Sequence, residues 1–157
     1  MRSLAAATEQ QLNEQLAAMV ATHRRALDGR RDDVLAAISA AIAQDDHLHR
    51  VLPQWPALTA RASWWTQWRV RRRITSSFRQ LQFAVRRYDR ALAELVRVAA
   101  GLVHAADHAV EEARSYSTSY DETYEVTVVE PPLLTEARRW AAAVLPGELC
   151  LRARRGP

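Results

Sequence analysis

The clearest pattern in the chain is a seven-residue repeat of apolar positions in its middle part. One series recurs every seven residues from Phe78 to Ala113, and a second does so from Ile74 to Ala109. Two interleaved series of this kind form one apolar seam along a helix that packs against another helix. The predicted fold class is therefore mainly α, as a long antiparallel helical hairpin or a helix bundle with a coiled-coil-like seam.

In the N-terminal part, apolar residues at helical spacing predict one or two helices. Thr8 and Gln11 have the spacing of a capping box, which predicts a helix start near Thr8. Asp28-Gly29 has the composition of a helix end, and Asp32 or Asp33 is a suitable cap for a second helix. We expect two helices here rather than one helix that runs through Gly29.

The long central helix has a predicted start and one predicted weak point. Pro56 is a suitable first helical residue. The seam register fails upstream of Ile74, and the neighbouring run Thr75-Ser76-Ser77 contains a possible helix cap. A kink or break at this run therefore stays open as an alternative to one unbroken helix of residues 57–115.

The C-terminal part predicts a small appendage of strand, helix and strand. The β-branched and aromatic run of residues 124–129 predicts a strand, and residues 133–145 have the spacing of an amphipathic helix. Alternation in residues 149–153 predicts a second short strand. The predicted domains are a helical hairpin or bundle of residues 1–116, and an appendage of residues 117–157 that packs on it.

Charge is segregated along the chain, although the net charge is only +4. All 22 basic residues are arginines. Residues 57–98 hold ten arginines and two acidic residues, whereas residues 99–136 hold one arginine and eight acidic residues. Two blocks of opposite sign indicate contact with an anionic partner, with a second copy of the chain, or with both.

The basic block forms a stripe on the outward side of the predicted helix. With Phe78 and Val85 on the seam, eight arginines fall at outward positions, and only Glu94 opposes them on that side. A solvated helix face usually mixes the two charge signs, so the stripe predicts an anionic partner. The eight residues, which we call the Arg stripe, are Arg69, Arg72, Arg73, Arg79, Arg86, Arg87, Arg90 and Arg97.

A tryptophan cluster lies directly before the stripe. Trp64 and Trp68 share one side of the predicted helix, and we expect them in the core or in an interface. Trp65 points elsewhere and is the expected exposed contact with the partner. Tryptophan beside arginine suits a protein interface and also a membrane surface.

The chain lacks the motifs of catalysis and of cofactor binding. Its four glycines are too scattered for a phosphate-binding loop, and no nucleophile elbow or HExxH motif occurs. Residues 45–49 and 104–108 each contain two histidines and at least one aspartate. We expect these histidines to be solvated rather than to bind a metal, because they face away from the seam or lack inward carboxylates. The sequence predicts no enzyme, no cofactor and no small-molecule substrate.

Two functions from different classes fit these features. The first is a helical interaction or scaffold protein that self-associates and presents the Arg stripe to an anionic partner, such as nucleic acid or an acidic protein surface. In the homo-oligomer, Asp107, Glu111 and Glu112 of one copy would face the stripe of another. The second is a nucleic-acid binding module, and peripheral membrane binding is a further alternative. We expect a cytoplasmic protein, because no apolar run approaches the ~20 residues that span a bilayer.

Overall fold

The computed structural model describes residues 2–58, 61–118 and 126–142. In chain order, these residues form helix α1 (Arg2–Val51), a 3-10 helix (Leu52–Leu58), helix α2 (Trp64–Thr118) and helix α3 (Pro132–Ala142). Helix accounts for 93% of the described residues, and no strand occurs among them. The predicted mainly α fold with two packed long helices is therefore confirmed.

Two compact units make up the chain. Unit 1 comprises Met1–Arg30 and Ala93–Pro157, and unit 2 comprises Arg31–Leu92. In each unit a part of α1 packs against a part of α2. The domain boundary predicted between residues 116 and 117 stays a prediction. Within the described residues, no helix is long and apolar enough to cross a membrane.

Helix α1 does not end at Gly29, so the prediction of two N-terminal helices is wrong. It already begins at Arg2 rather than near Thr8, and it continues through Gly29 to Val51. A glycine inside a helix costs about 1 kcal/mol relative to alanine. Leu27, only two residues away, is completely buried. Burial of a leucine side chain contributes about 1.5–3 kcal/mol, so packing outweighs the local stop signal.

Helix α2 begins eight residues later than predicted. Pro56 lies inside the 3-10 helix, and Ser63 is the residue that caps α2. The backbone N–H of Thr66 donates to Oγ of Ser63 at 3.4 Å, and the hydroxyls of the two residues lie 3.0 Å apart. A serine in this position satisfies one of the N–H groups that a helix start leaves without a partner.

The predicted weak point of α2 lies inside one continuous helix, so the alternative of a break is wrong. Ser77 is only 2% exposed, and its hydroxyl donates to the backbone carbonyl of Arg73 at 3.0 Å. The hydroxyl is therefore satisfied inside the helix, and the small side chain can face α1 without an unpaired polar group.

The seam prediction is confirmed fully in unit 1. Every seam residue from Leu95 to Ala113 is buried, and four of them are alanines that let α1 approach closely. Three leucines of α1 and residues of the C-terminal segment complete this core. The buried residues are Leu12, Leu16, Leu27, Leu95, Ala99, Leu102, Ala106, Ala109, Ala113, Val126, Leu134 and Ala137.

The predicted strand of residues 124–129 is not supported, since residues 126–129 form no strand pair. Their backbone is held instead by side chains of α1. The N–H of Thr127 donates to Oε1 of Glu9 at 2.8 Å, and the N–H of Val129 donates to Oδ1 of Asn13 at 3.1 Å. Residues 124–125 and the second predicted strand, residues 149–153, lie outside the described residues. The predicted helix of this region is confirmed as α3.

The core of unit 2 is thinner. Ile74 and Ser77 of α2 are buried against α1, whereas the seam residues from Leu81 to Leu92 are only half-buried. Phe78 is 44% exposed, so its predicted place inside the seam is wrong. Because Ile74, Ser77 and Leu81 define the centre of the buried side, Phe78 lies at its margin.

Candidate functional site

The Arg stripe is exposed along its whole length, as its register predicts. Seven of its members belong to unit 2, and we call these seven the Arg face: Arg69, Arg72, Arg73, Arg79, Arg86, Arg87 and Arg90. From first to last they span about 32 Å of helix at 1.5 Å per residue. The Arg face thus places one guanidinium about every 5 Å of helix axis.

The arginines of the Arg face have no carboxylate partner among the described residues, since none of the salt bridges there includes them. Unit 2 as a whole holds eleven arginines and five acidic residues. Asp89 is the single acidic residue of its α2 portion. The positive charge of this face is therefore uncompensated within unit 2.

Arg97, the last member of the stripe, belongs to unit 1 and differs from the other seven. Its Nη2 and Nε atoms donate to one carboxylate oxygen of Glu94 at 2.7 and 3.2 Å. The hydrogen bond from Arg97 lowers the pKa of Glu94. Arg97 therefore already has an anionic partner on its own helix.

Three tryptophans form an exposed cluster at the start of α2. The rings of Trp65 and Trp68 stack with centroids 5.0 Å apart and planes 14° apart, and Trp64 lies 5.9 Å from Trp65 in a tilted arrangement. All three are exposed, Trp64 by 74%. The core alternative for Trp64 and Trp68 is thus wrong, and the predicted exposure of Trp65 is confirmed.

Two arginines of the Arg face lie over these rings. The Cζ atom of Arg69 is 5.4 Å from the ring centroid of Trp65, and that of Arg72 is 5.2 Å from the centroid of Trp68. These are cation–π distances. The N–H donors of a guanidinium lie in its own plane, so a contact between its flat face and a ring leaves them able to bind an anion at the same time. The tryptophans therefore orient two cationic donors before any partner binds.

Two open grooves border this cluster, and both lie within unit 2. The first, which we call the His47 groove, has a volume of about 330 Å³ and is lined chiefly by His47 of α1 and by Arg69, Arg72, Arg73 and Ser76 of α2. The second, the Arg79 groove, has a volume of about 460 Å³ and is lined by Trp68, Arg71, Arg72, Thr75, Ser76 and Arg79. Guanidinium and hydroxyl donors line both grooves, and neither contains a carboxylate.

Sequence reasoning missed His47, Arg71 and Ser76 as members of this site. The sequence predicts that the histidines of residues 45–49 are solvated, but His47 is half-buried beside the arginines. Arg71 falls on the seam when the heptad is extended upstream of Ile74, yet it is exposed. The pairing of α1 with α2 brings His47 to the arginines of α2, and no local motif reports that pairing.

The predicted acidic side of the self-association surface is only partly available. Nη1 and Nη2 of Arg138 donate to the two carboxylate oxygens of Asp107 at 3.2 and 2.5 Å, and Nε of Arg138 donates to Glu130 at 2.7 Å. These bonds lower the pKa of Asp107 and raise that of Arg138. Glu111 and Glu112 are exposed and form no salt bridge within the described part of unit 1.

Metal binding finds no geometric support in the described residues, where no three His, Cys, Asp or Glu side chains lie together in a suitable arrangement. Comparison with known proteins gives no matching family model, no matching curated protein and no matching solved structure. The geometry of the two units is therefore the basis of the functional proposal.

Proposed function

We propose that this chain is a non-enzymatic interaction protein that binds an anionic partner on the Arg face. The observation that carries the proposal is the set of seven exposed arginines without carboxylate partners among the described residues, beside a stacked and exposed tryptophan pair. We keep the cytoplasm as its proposed location.

Electrostatics favours a partner with many charges. Like charges three or four residues apart on a helix destabilise it, and the Arg face has several such pairs, among them Arg69–Arg73, Arg86–Arg90 and Arg87–Arg90. A polyanion relieves this repulsion at all positions together. It also releases its condensed counterions when arginine side chains neutralise it, which makes binding strong at low salt.

Two arginine side chains are already oriented before an anion binds, and this adds to the electrostatic attraction. Arginine side chains lose up to about 2 kcal/mol of rotamer entropy when they are fixed. The contacts of Arg69 with Trp65 and of Arg72 with Trp68 already restrict these two side chains. Binding of an anion therefore needs less further ordering here than at an isolated surface arginine.

Self-association is a second candidate function, favoured by apolar residues of α1 that unit 2 leaves uncovered. Leu35 and Ile42 are seven residues apart, lie on one side of the helix and are both more than half exposed. We propose that a second copy of the chain covers them. Glu111 and Glu112 of one copy, opposite the Arg face of the other, would set the orientation.

The anionic partner is tested with three probes at low salt: a single-stranded 20-mer oligonucleotide, a poly-glutamate of similar length, and vesicles that contain phosphatidylserine. We expect the parent protein to bind at least one of them with an affinity that falls steeply as salt rises. The variant Arg72→Gln/Arg79→Gln/Arg86→Gln should bind at least about tenfold more weakly.

The matched control is Arg25→Gln/Arg114→Gln/Arg139→Gln, which removes the same charge from exposed positions of unit 1. It should lose about threefold or less, because only the long-range field of the protein changes. Absence of binding to all three probes, or equal losses in the two variants, would contradict the proposal.

The oligomer is tested by mass from light scattering at low and high salt. We expect an oligomer that loosens as salt rises, because the exposed charges are screened beyond about 8–10 Å at physiological ionic strength. Leu35→Gln/Ile42→Gln should shift the protein to monomer. A parent protein that is monomeric at high concentration and low salt would contradict the proposed self-association, but it would not contradict the binding of an anionic partner.

A further inference from the structure

We infer that the anionic partner is single-stranded nucleic acid, and that the two grooves bind neighbouring phosphates of one strand. The inference rests on the proposed function and deepens it. It follows from the arrangement of the grooves, from the number and type of donors that line them, and from aromatic residues that recur along the Arg face.

The two grooves share a wall. Trp68, Arg72 and Ser76 follow one another at intervals of four residues on α2, and all three line both grooves. Residues at this spacing form a ridge along a helix. The His47 groove lies on the side of the ridge that faces α1, and the Arg79 groove lies on the other side. A chain of anions that crosses the ridge can place one charged group in each groove, with Arg72 in contact with both.

The His47 groove has more hydrogen-bond donors than one carboxylate group can accept. In unit 1 a single guanidinium, that of Arg138, satisfies both oxygens of Asp107 and one oxygen of Glu130. The His47 groove instead has three guanidiniums and the hydroxyl of Ser76, with no carboxylate. Several convergent arginines are typical of phosphate sites, since phosphate oxygens accept from several directions.

The spacing of charges also favours nucleic acid over an acidic protein. The Arg face places one guanidinium about every 5 Å of helix axis, and a nucleic-acid strand likewise carries its charges in a continuous row, one for each nucleotide. The surface of a folded protein mixes both charge signs, and long blocks of carboxylates are generally disordered. A strand of nucleic acid therefore matches a continuous row of arginines better.

Aromatic residues on the same side of α2 indicate that the strand is single. Phe83 is 76% exposed and lies four residues beyond Arg79 and three before Arg86. Trp64 and Trp65 are exposed at the other end of the row. Unpaired bases stack on such rings irrespective of their sequence, whereas the bases of a duplex are already stacked.

The grooves also favour a nucleic-acid strand over a lipid surface as the anionic partner. A phosphate that enters the His47 groove can contact Ser76 and Arg73 together. The backbone phosphates of an extended strand project from it and can do so. Headgroup phosphates lie side by side in the plane of a bilayer, so a helix lying on the bilayer would contact them mainly through its outermost side chains.

The test is fluorescence anisotropy of a labelled mixed-sequence single-stranded 20-mer with two charge-matched variants. Arg71→Gln/Arg73→Gln removes one cation from each groove, whereas Arg87→Gln/Arg90→Gln removes two cations of the same helix outside both grooves. We expect a loss of about tenfold for the groove variant and about threefold or less for the control. Equal losses of affinity in the two variants would overturn the inference. The Arg face would then bind as a diffuse basic surface, without phosphate sites in the grooves.

A second variant pair needs no change of charge. Ser76→Ala removes a hydroxyl that lines both grooves and should weaken binding about threefold. Ser39→Ala removes an exposed hydroxyl of α1 in the same unit, which bonds the carbonyl of Leu35, and should leave the affinity unchanged. Circular dichroism checks that each variant is folded. If the affinity of Ser76→Ala equals that of the parent, the phosphates do not enter the grooves.

Comparison of the single strand with other anionic probes tests the inference separately from the proposed function. The single strand should bind more tightly than its duplex, poly-glutamate or phosphatidylserine vesicles at equal salt. Tighter binding of any of these three would overturn the inference and keep the anionic partner. Absence of binding to all probes would overturn both.

Discussion

The two units put the same kinds of side chain to different uses. In unit 1 the seam residues of α2 and three leucines of α1 are buried, and Val129 is its one exposed large hydrophobic residue within the described part. The other eight such residues of the described chain lie in unit 2. Unit 1 therefore has the properties of a closed core, and unit 2 has those of a contact surface.

The arginines show the same contrast. Arg138 of unit 1 binds two carboxylates, and Arg97 binds Glu94. In unit 2, Arg69 and Arg72 lie over tryptophan rings, and no described carboxylate pairs with either. Arginine content alone thus says little about a binding site, because the same residue is structural where a carboxylate reaches it. Whether a guanidinium already contacts a carboxylate is the observation that distinguishes a structural arginine from one that can bind a partner.

The largest expected effect compares the apolar seams of the two units. Leu95→Asp places an unpaired charge in the closed core of unit 1 and should lower the free energy of unfolding by about 4 kcal/mol or more. Leu81→Asp lies in the half-buried seam of unit 2 and should cost about 1–2 kcal/mol. Urea denaturation followed by circular dichroism measures both. Equal losses would show that the two seams are equally closed.

The next largest expected effect is on stability and concerns Gly29 in helix α1. A Cβ atom at Gly29 would meet no other atom within 4 Å. Gly29→Ala should therefore raise the free energy of unfolding by up to about 1 kcal/mol, because it restores helix propensity at no steric cost. Thermal melting checks this. A destabilised variant would indicate that the chain leaves the helical conformation at this residue.

The salt bridges of Arg138 should have a smaller effect that depends on pH. Arg138→Gln should cost about 1 kcal/mol or less at neutral pH, because the side chains involved are all more than a third exposed. The pKa of Asp107 is lowered in the fold. Its contribution is therefore complete above the ordinary aspartate pKa of about 3.9 and is lost as the pH falls through the lower folded value.

Denaturation of the parent and of Arg138→Gln at pH 7 and near pH 2–3 measures this linkage. The difference in stability between the two proteins should shrink at the acidic end. A difference that stays constant over this range would mean that Asp107 gains nothing from Arg138.

Sequence periodicity predicted the helices and the exposure of the Arg stripe, because both depend on spacing within one helix. The local signal at Gly29 gave a wrong helix end, and the one at Ser77 left a break open. Both signals are worth about 1 kcal/mol and compete with the packing of α1 against α2. The bonds from Thr127 to Glu9 and from Val129 to Asn13 join residues more than a hundred positions apart. No local pattern contains such pairs, and the meeting of His47 with Arg73 in one groove escaped prediction for the same reason.

Under the proposed function the arginines of the Arg face are available to an anion, whereas Arg97 and Arg138 are already paired with carboxylates. The most direct measurement follows the Nε–Hε signals of the arginine side chains by NMR while a single-stranded 20-mer is added to ¹⁵N-labelled protein. We predict that the signals of Arg69, Arg72, Arg73 and Arg79 shift or broaden first, while those of Arg97 and Arg138 change little. Equal changes at Arg138 and at the Arg face, or changes confined to Arg97 and Arg138, would contradict the account.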